Sequence, residues 1–167
     1  IKLKTKEISD MYLDKRKDIF YLVNAASNTV LVIDTSGQTI QEFGKLRDPL
    51  KISMDRFGYV YVTNKIESCI YKFIQKEDTY KYYGKFGTNP FTKIANIAVN
   101  KDGSIFLLNE SSSEIIKVNR NGWELVRFGS KNAEGKNLEK PTAIVSGEGC
   151  KYIYILDSSR KEVLQFS

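Results

Sequence analysis

FGYVYVTNKIESCIYKF, residues Phe57 to Phe73, reads as a five-residue apolar run, an asparagine, a short polar turn and a second apolar run. Three other segments repeat this plan: DIFYLVNAASNTVLVID (Asp18 to Asp34), GSIFLLNESSSEIIKV (Gly103 to Val118) and KYIYILDSSRKEVLQF (Lys151 to Phe166). The polar residue that closes the first run is Asn24, Asn64, Asn109 or Asp157, at spacings of 40, 45 and 48. Turn residues break every apolar run before a helix could complete three turns. β-Branched and aromatic residues fill the runs, so the segments are predicted as strands. The first run of each copy is apolar at nearly every position and must be covered on both faces.

More of the unit recurs around these pairs. Phe-Gly stands at Phe43-Gly44, Phe86-Gly87 and Phe128-Gly129. A turn precedes the first run at Asp55–Gly58, Asn100–Gly103 and Ser146–Gly149, and a further strand-like stretch precedes that turn: KISM (Lys51 to Met54), NIAV (Asn96 to Val99) and TAIV (Thr142 to Val145). Pro49 and Pro141 sit just ahead of two of these. Each unit thus has four short strands, A to D from inner to outer. D alternates as a strand half in water should. One such unit cannot bury both faces alone, whereas stacked copies cover one another. A period of roughly 40–45 residues with four strands is that of a propeller blade. The predicted fold is all-β, a β-propeller of four-stranded antiparallel blades. About four blades are visible, over residues 6–44, 45–87, 88–129 and 130–167. A β-sandwich accounts for the short strands but not for the recurring Asn/Asp and Phe-Gly positions. Because the chain starts at Ile1 and stops in mid-blade at Ser167, a fragment of a larger propeller is expected. In the alternative, IKLKT (Ile1 to Thr5) serves as an outer strand and closes a four-bladed ring.

Composition narrows the chemistry. At 41% hydrophobic residues and a mean hydropathy of -0.35, the 167-residue chain can fill a core beneath a polar surface. No apolar run reaches the ~18 residues of a membrane span. Histidine is absent, which removes Ser-His-Asp and Cys-His catalysis and the commonest zinc ligand. Cys69 and Cys150 are the only cysteines and are expected to be free thiols. The net charge of +6 is concentrated: from Phe43 to Lys101, eleven Lys/Arg face five Asp/Glu, and the remainder holds fifteen of each.

From Pro49 through Ile52, Asp55, Gly58, Val60, Tyr61, Val62, Asn64, Ile70 and Phe73 to Phe86-Gly87, the second unit resembles the NHL repeat. The third unit follows with Asn100, Gly103, Asn109, Ile115 and Val118. The fourth departs by an insertion between Gly129 and Pro141. The first lacks the Pro and the Gly ahead of strand B. The resemblance covers almost the whole chain and implies six-bladed relatives, some of which bind RNA through a positive face and some of which are lyases or hydrolases. The amidating lyases with NHL-like repeats use histidine-bound zinc, which this chain cannot supply. Calcium-dependent lactonase-like propellers use carboxylates and Asn, for which Glu110 and Asp157 are the nominees here.

Three readings of the sites follow. Asn24, Asn64, Asn109 and Asp157 either form a polar ring for a ligand or bond the backbone of the B–C turn, as Asn and Asp do; their recurrence in every copy favours the turn. The basic, Tyr-rich second unit, with KEDTYKYYGKFG at its outer strand, nominates Arg47, Lys51, Arg56, Lys65, Lys72 and Lys81 with Tyr80 and Tyr82 for single-stranded RNA. The irregular stretch Ser130 to Lys140 nominates Ser130, Lys131, Asn132, Glu134, Lys136, Asn137 and Glu139 for contact with another protein subunit or domain. Every repeated residue can be assigned to building blades. A non-catalytic scaffold without cofactor is therefore the leading expectation, RNA binding the alternative, and calcium-dependent hydrolysis the third.

Overall fold

A computed structural model describes residues 7–87, 93–129, 137–147, 149 and 151–167. All regular secondary structure among them is strand. The first sheet is a meander of β1 (Ile8–Asp14), β2 (Ile19–Asn24), β3 (Thr29–Ile33) and β4 (Thr39–Phe43). The second repeats it with β5 (Pro49–Met54), β6 (Tyr59–Asn64), β7 (Ile70–Lys76) and β8 (Thr79–Phe86). The third holds β9 (Ile94–Val99), β10 (Ile105–Asn109), β11 (Glu114–Val118) and β12 (Glu124–Phe128). The fourth holds β13 (Pro141–Ser146), β14 (Ile153–Asp157) and β15 (Glu162–Phe166). Sequential strands pair throughout, as short connections dictate.

The chain forms two compact units, Ile1–Met54 with Gly58–Lys85, and Asp55–Phe57 with Phe86–Ser167. In the first unit, Tyr21, Val23, Val30 and Val32 of one sheet share a core with Ile52, Val60, Val62 and Phe73 of the next. In the second, Phe106, Leu108 and Ile115 share a core with Ile144, Ile153, Ile155 and Leu164. The predicted double-sided burial holds for β6, where only Tyr59 is less than buried, and for β10, buried at every position. In β14 it fails on one face. Ile153 and Ile155 point into the core, while Leu156 is 43% exposed, and Val145 and Val163 beside it are also exposed. The outer strand β12 differs from its predicted alternation, since Leu125 and Val126 on opposite faces are both exposed. An edge strand meets neighbours on one side only, so neither face is fully covered.

The turns carry a repeat that residue types hide. The fourth residue after the closing Asn or Asp of each strand B, Asn28, Ser68, Ser113 or Lys161, has a φ of 50 to 58°. None is glycine, so each copy holds an L-residue in the left-handed region. Asp18, with φ 56°, takes the position before strand B that Gly58 and Gly103 take in later copies. This accounts for the missing glycine of the first unit. Lys161→Gly is expected to raise the unfolding midpoint by ~0.5 kcal/mol of stability, because relief of left-handed strain outweighs the added chain entropy; a urea titration of both chains checks it. The role predicted for residues 1–5 lies outside the described residues.

Candidate functional site

The four recurrent polar residues are buried, with Asn64 and Asp157 at 0% exposure. Each bonds its own turn. Asn24 Oδ1 accepts from Ser27 N at 3.4 Å, Asn64 Oδ1 from Glu67 N at 2.6 Å, and Asn109 Oδ1 from Ser111 N at 3.2 Å. Asp157 accepts from Arg160 N at 3.4 Å and also from Glu139 N at 2.7 Å and Lys140 N at 3.0 Å. The Asn64 amide donates to the Arg47 carbonyl. The next residue in every copy donates its N–H to the segment ahead of strand A: Ala25 to Glu7, Lys65 to Asp48, Glu110 to Lys93 and Ser158 to Lys140, at 2.9 to 3.0 Å. These side chains tie strand B, the turn and the start of strand A together. Burial pushes the Asp157 carboxyl up, but its backbone N–H donors, those of Glu139 and Lys140 foremost, outweigh it and hold its pKa below the ordinary aspartate value. Glu110, the other lactonase-like nominee, is exposed and pairs with Lys93 at 3.2 Å. Among the described residues no three His, Cys, Asp or Glu side chains are grouped so as to hold a metal ion.

The basic, Tyr-rich sheet places its nominees apart. Register sets Lys72 opposite Tyr61. Its Nζ lies 4.1 Å from the Tyr59 ring centroid, 4.8 Å from that of Tyr83 and 5.6 Å from that of Tyr61. Only 6% of Lys72 is exposed, so it is an internal cation over aromatic faces and not a phosphate contact. Tyr80 stacks on Phe43 at 4.2 Å, and its hydroxyl meets that of Tyr21 at 2.5 Å, which places it at the core. Arg47 pairs with Glu67 at 3.5 Å and Lys51 with Asp10 at 3.7 Å. Lys85 joins Arg47 on Glu67 at 3.3 Å and, with that hydrogen bond foremost, holds its carboxyl below the usual range. Burial first, then a bond to Glu67, pushes the adjacent Cys69 thiol up to about 11. Arg56, Lys65, Lys81 and Tyr82 remain exposed, but Arg56 is on the β5–β6 turn, Lys65 on the β6–β7 turn and the other two on β8. Arg56 itself lies over the Phe57 ring at 4.8 Å. Lys72→Met is expected to cost ~2 kcal/mol, the worth of a desolvated cation over aromatic rings, with the stem still packed. Lys72→Glu is expected to cost more, and equal midpoints for the two in urea would show that the rings do not favour the cation.

The predicted contact stretch falls mostly outside the described residues: Ser130, Lys131, Asn132, Glu134 and Lys136 are not placed. Its end is anchored. Asn137 is half-buried, Leu138 fills the core at 0% exposure and donates its N–H to Gly129 O at 2.8 Å, and Glu139 pairs with Arg160 at 3.5 Å. An apolar leucine in a polar run was the available signal for that anchor. Sequence reasoning also passed over β12. Trp123 is 72% exposed just ahead of it, Leu125 and Val126 are exposed on it, and Arg127 ties Glu124 at 2.8 Å and Glu114 at 3.2 Å.

No family model matches the chain, and no match is found among curated proteins. Solved structures do match. The Cps50 (Swd1) β-propeller domain of Myceliophteria thermophila is similar at 11% identity and a TM-score of 0.75, covering 96% of this chain and 53% of that one. A chain of a nidogen/laminin complex is similar at 13% identity and a TM-score of 0.69, over 98% of this chain and 60% of that one. Virginiamycin B lyase from Staphylococcus aureus is similar at 16% identity and a TM-score of 0.63, over 96% of this chain and 55% of that one. The chain therefore has the β-propeller fold and spans little more than half the length of these structures.

Proposed function

We propose that the chain is a non-catalytic β-propeller scaffold whose loops and outer strands contact other protein subunits or domains. One observation carries this reading. The polar side chains common to all copies are engaged by turn backbones, while the large side chains that vary and face water include apolar Trp123, just ahead of the outer strand β12, and Leu125 and Val126 on it. Exposed aromatic and aliphatic groups together are the usual anchors of a protein interface. Likeness to a lyase at 16% identity carries the fold alone. RNA binding has fewer cations to draw on, because Lys72 is internal and Arg47 and Lys51 are paired.

Affinity purification from the source organism tests the reading. A stoichiometric partner is expected, with recovery reduced by at least ~10-fold for a Trp123→Ala, Leu125→Ala chain, as truncation of interface anchors does. Undiminished recovery, or no stoichiometric partner, refutes it.

A further inference from the structure

The β11–β12 turn has a twin within the molecule. Asn119 donates its N–H to Trp123 O at 2.9 Å, and its own carbonyl accepts the N–H of Gly122 at 2.9 Å. Its Oδ1 accepts from Asn121 N at 2.9 Å and from Trp123 N at 3.1 Å. The β3–β4 turn repeats each of these bonds. Asp34 N donates to Gln38 O at 3.0 Å, Gly37 N donates to Asp34 O at 3.1 Å, and Asp34 Oδ1 accepts from Ser36 N and Gln38 N, both at 2.9 Å. Gly37 and Gly122 have φ of 90 and 85°. The residue ahead of the glycine is Ser36 in one turn and Asn121 in the other, so the shared geometry asks for no carboxamide there.

Asn121 brings a reaction that Ser36 cannot. It is exposed, and Asn121-Gly122 is the only Asn-Gly pair in the chain. In an unfolded chain the Gly122 nitrogen attacks Cγ of Asn121, because glycine has no side chain to obstruct the approach and the widest backbone range. A C–N bond forms, the carboxamide nitrogen leaves as ammonia with the proton given up by Gly122 N, and a cyclic succinimide results. Water then opens the ring at either carbonyl. One product is aspartate, and the other is isoaspartate, whose backbone runs through Cβ. In the folded turn the attacking nitrogen is held. Its N–H bonds Asn119 O, and Gly122 lies so near Phe86 that an added Cβ would be 2.5 Å from the ring. Attack requires the turn to open, so the folded rate is the unfolded rate multiplied by the open fraction.

We propose that Asn121-Gly122 is a site of spontaneous deamidation that the folded β11–β12 turn suppresses, so that time spent unfolded is recorded in the chain as isoaspartate at position 121. This goes beyond the protein-contact reading and does not rest on it. Isoaspartate adds a carbon to the backbone between the N–H of residue 121 and that of Gly122. The bonds of these two groups to Asn119, with that of Trp123 N beyond them, then cannot all close together. A chain modified while unfolded loses the turn, and its unfolding becomes irreversible by a chemical route.

The test incubates the 167-residue chain at neutral pH, folded in buffer and unfolded in guanidinium chloride. The tryptic peptide NGWELVR, Asn121 to Arg127, is then resolved by chromatography and mass spectrometry into its asparagine, aspartate and isoaspartate forms. Conversion is expected to be at least ~10-fold slower in the folded chain, the open fraction of a hydrogen-bonded turn being ~0.1 or less. Asn119→Ala removes the Oδ1 that two turn N–H groups share and, kept below its melting temperature, is expected to convert at least ~5-fold faster than the folded wild type. Asn119→Asp keeps that acceptor, as Asp34 does, and is expected to stay slow. Asn121→Ser copies the β3–β4 turn and is expected to refold in full after the unfolded incubation, whereas the wild type recovers in proportion to its unmodified fraction. Equal conversion of folded and unfolded chains, no conversion of the unfolded chain, an Asn119→Ala chain that is no faster, or equal refolding losses in wild type and Asn121→Ser overturns the proposal.

Discussion

Asp157→Ala is expected to destabilise the chain by ~3 kcal/mol, with three backbone donors losing their acceptor at roughly 1 kcal/mol each. The donors are Glu139 N, Lys140 N and Arg160 N, and no other carboxylate is shown to accept from them. Asp157→Asn keeps one acceptor oxygen and is expected to lose about half as much. The effect depends on pH with a definite sign. The carboxyl has a folded pKa below its unfolded value, so its stabilisation is complete above the unfolded value of about 3.9 and disappears as pH falls through the folded one. Urea midpoints for wild type and Asp157→Asn should therefore differ at neutral pH and converge in strong acid. A gap that persists there would mean that the side chain acts through shape and not through charge.

Gly122→Ala is the second large effect, also ~3 kcal/mol, from left-handed strain plus overpacking. Gly122 has a φ of 85°, and a Cβ there would lie 2.5 Å from Phe86 Cδ2 and 2.7 Å from Phe86 Cβ. The ring cannot swing clear, because its own Cβ is one of the atoms met. Gly58 is the internal control, with the same φ and nothing within 4 Å of an added Cβ. Gly58→Ala is expected to cost only the conformational part, ~1–2 kcal/mol. Equal losses for the two substitutions in thermal unfolding would rule out the steric contribution.

The strands were legible because their sequence signal is local. Apolar runs closed by Asn or Asp and a polar turn mark β2, β6, β10 and β14 without reference to anything distant. The turn role of Asn24, Asn64, Asn109 and Asp157 was legible for a different reason: a duty performed in every copy leaves the same residue type in every copy. What each unit does with its variable residues was not legible. Lys72 looks like a solvent-facing cation in IYKFIQK, and only cross-strand register brings it beneath Tyr59 and Tyr83. Tyr80 and Tyr82 are two residues apart on β8 yet differ in fate, one stacked on Phe43 and the other 58% exposed. Leu138 sits in a polar stretch and is fully buried because Gly129 draws its backbone inward. Each of these depends on contacts between strands distant in sequence, which no run of neighbouring residues encodes.

The shared path of the B–C connections bears on how such a chain tolerates change. The four residues after strand B, AASN, KIES, ESSS and SSRK, share no residue at any position across all four, yet all follow Asn or Asp and all place a left-handed residue fourth. The backbone path is inherited while the side chains on it are free. The connections are therefore interchangeable cassettes: ESSS grafted in place of KIES would keep both flanking strands in register while exchanging the chemistry displayed at that corner. A molecule built in this way can acquire new surface chemistry one corner at a time without disturbing the sheets beneath.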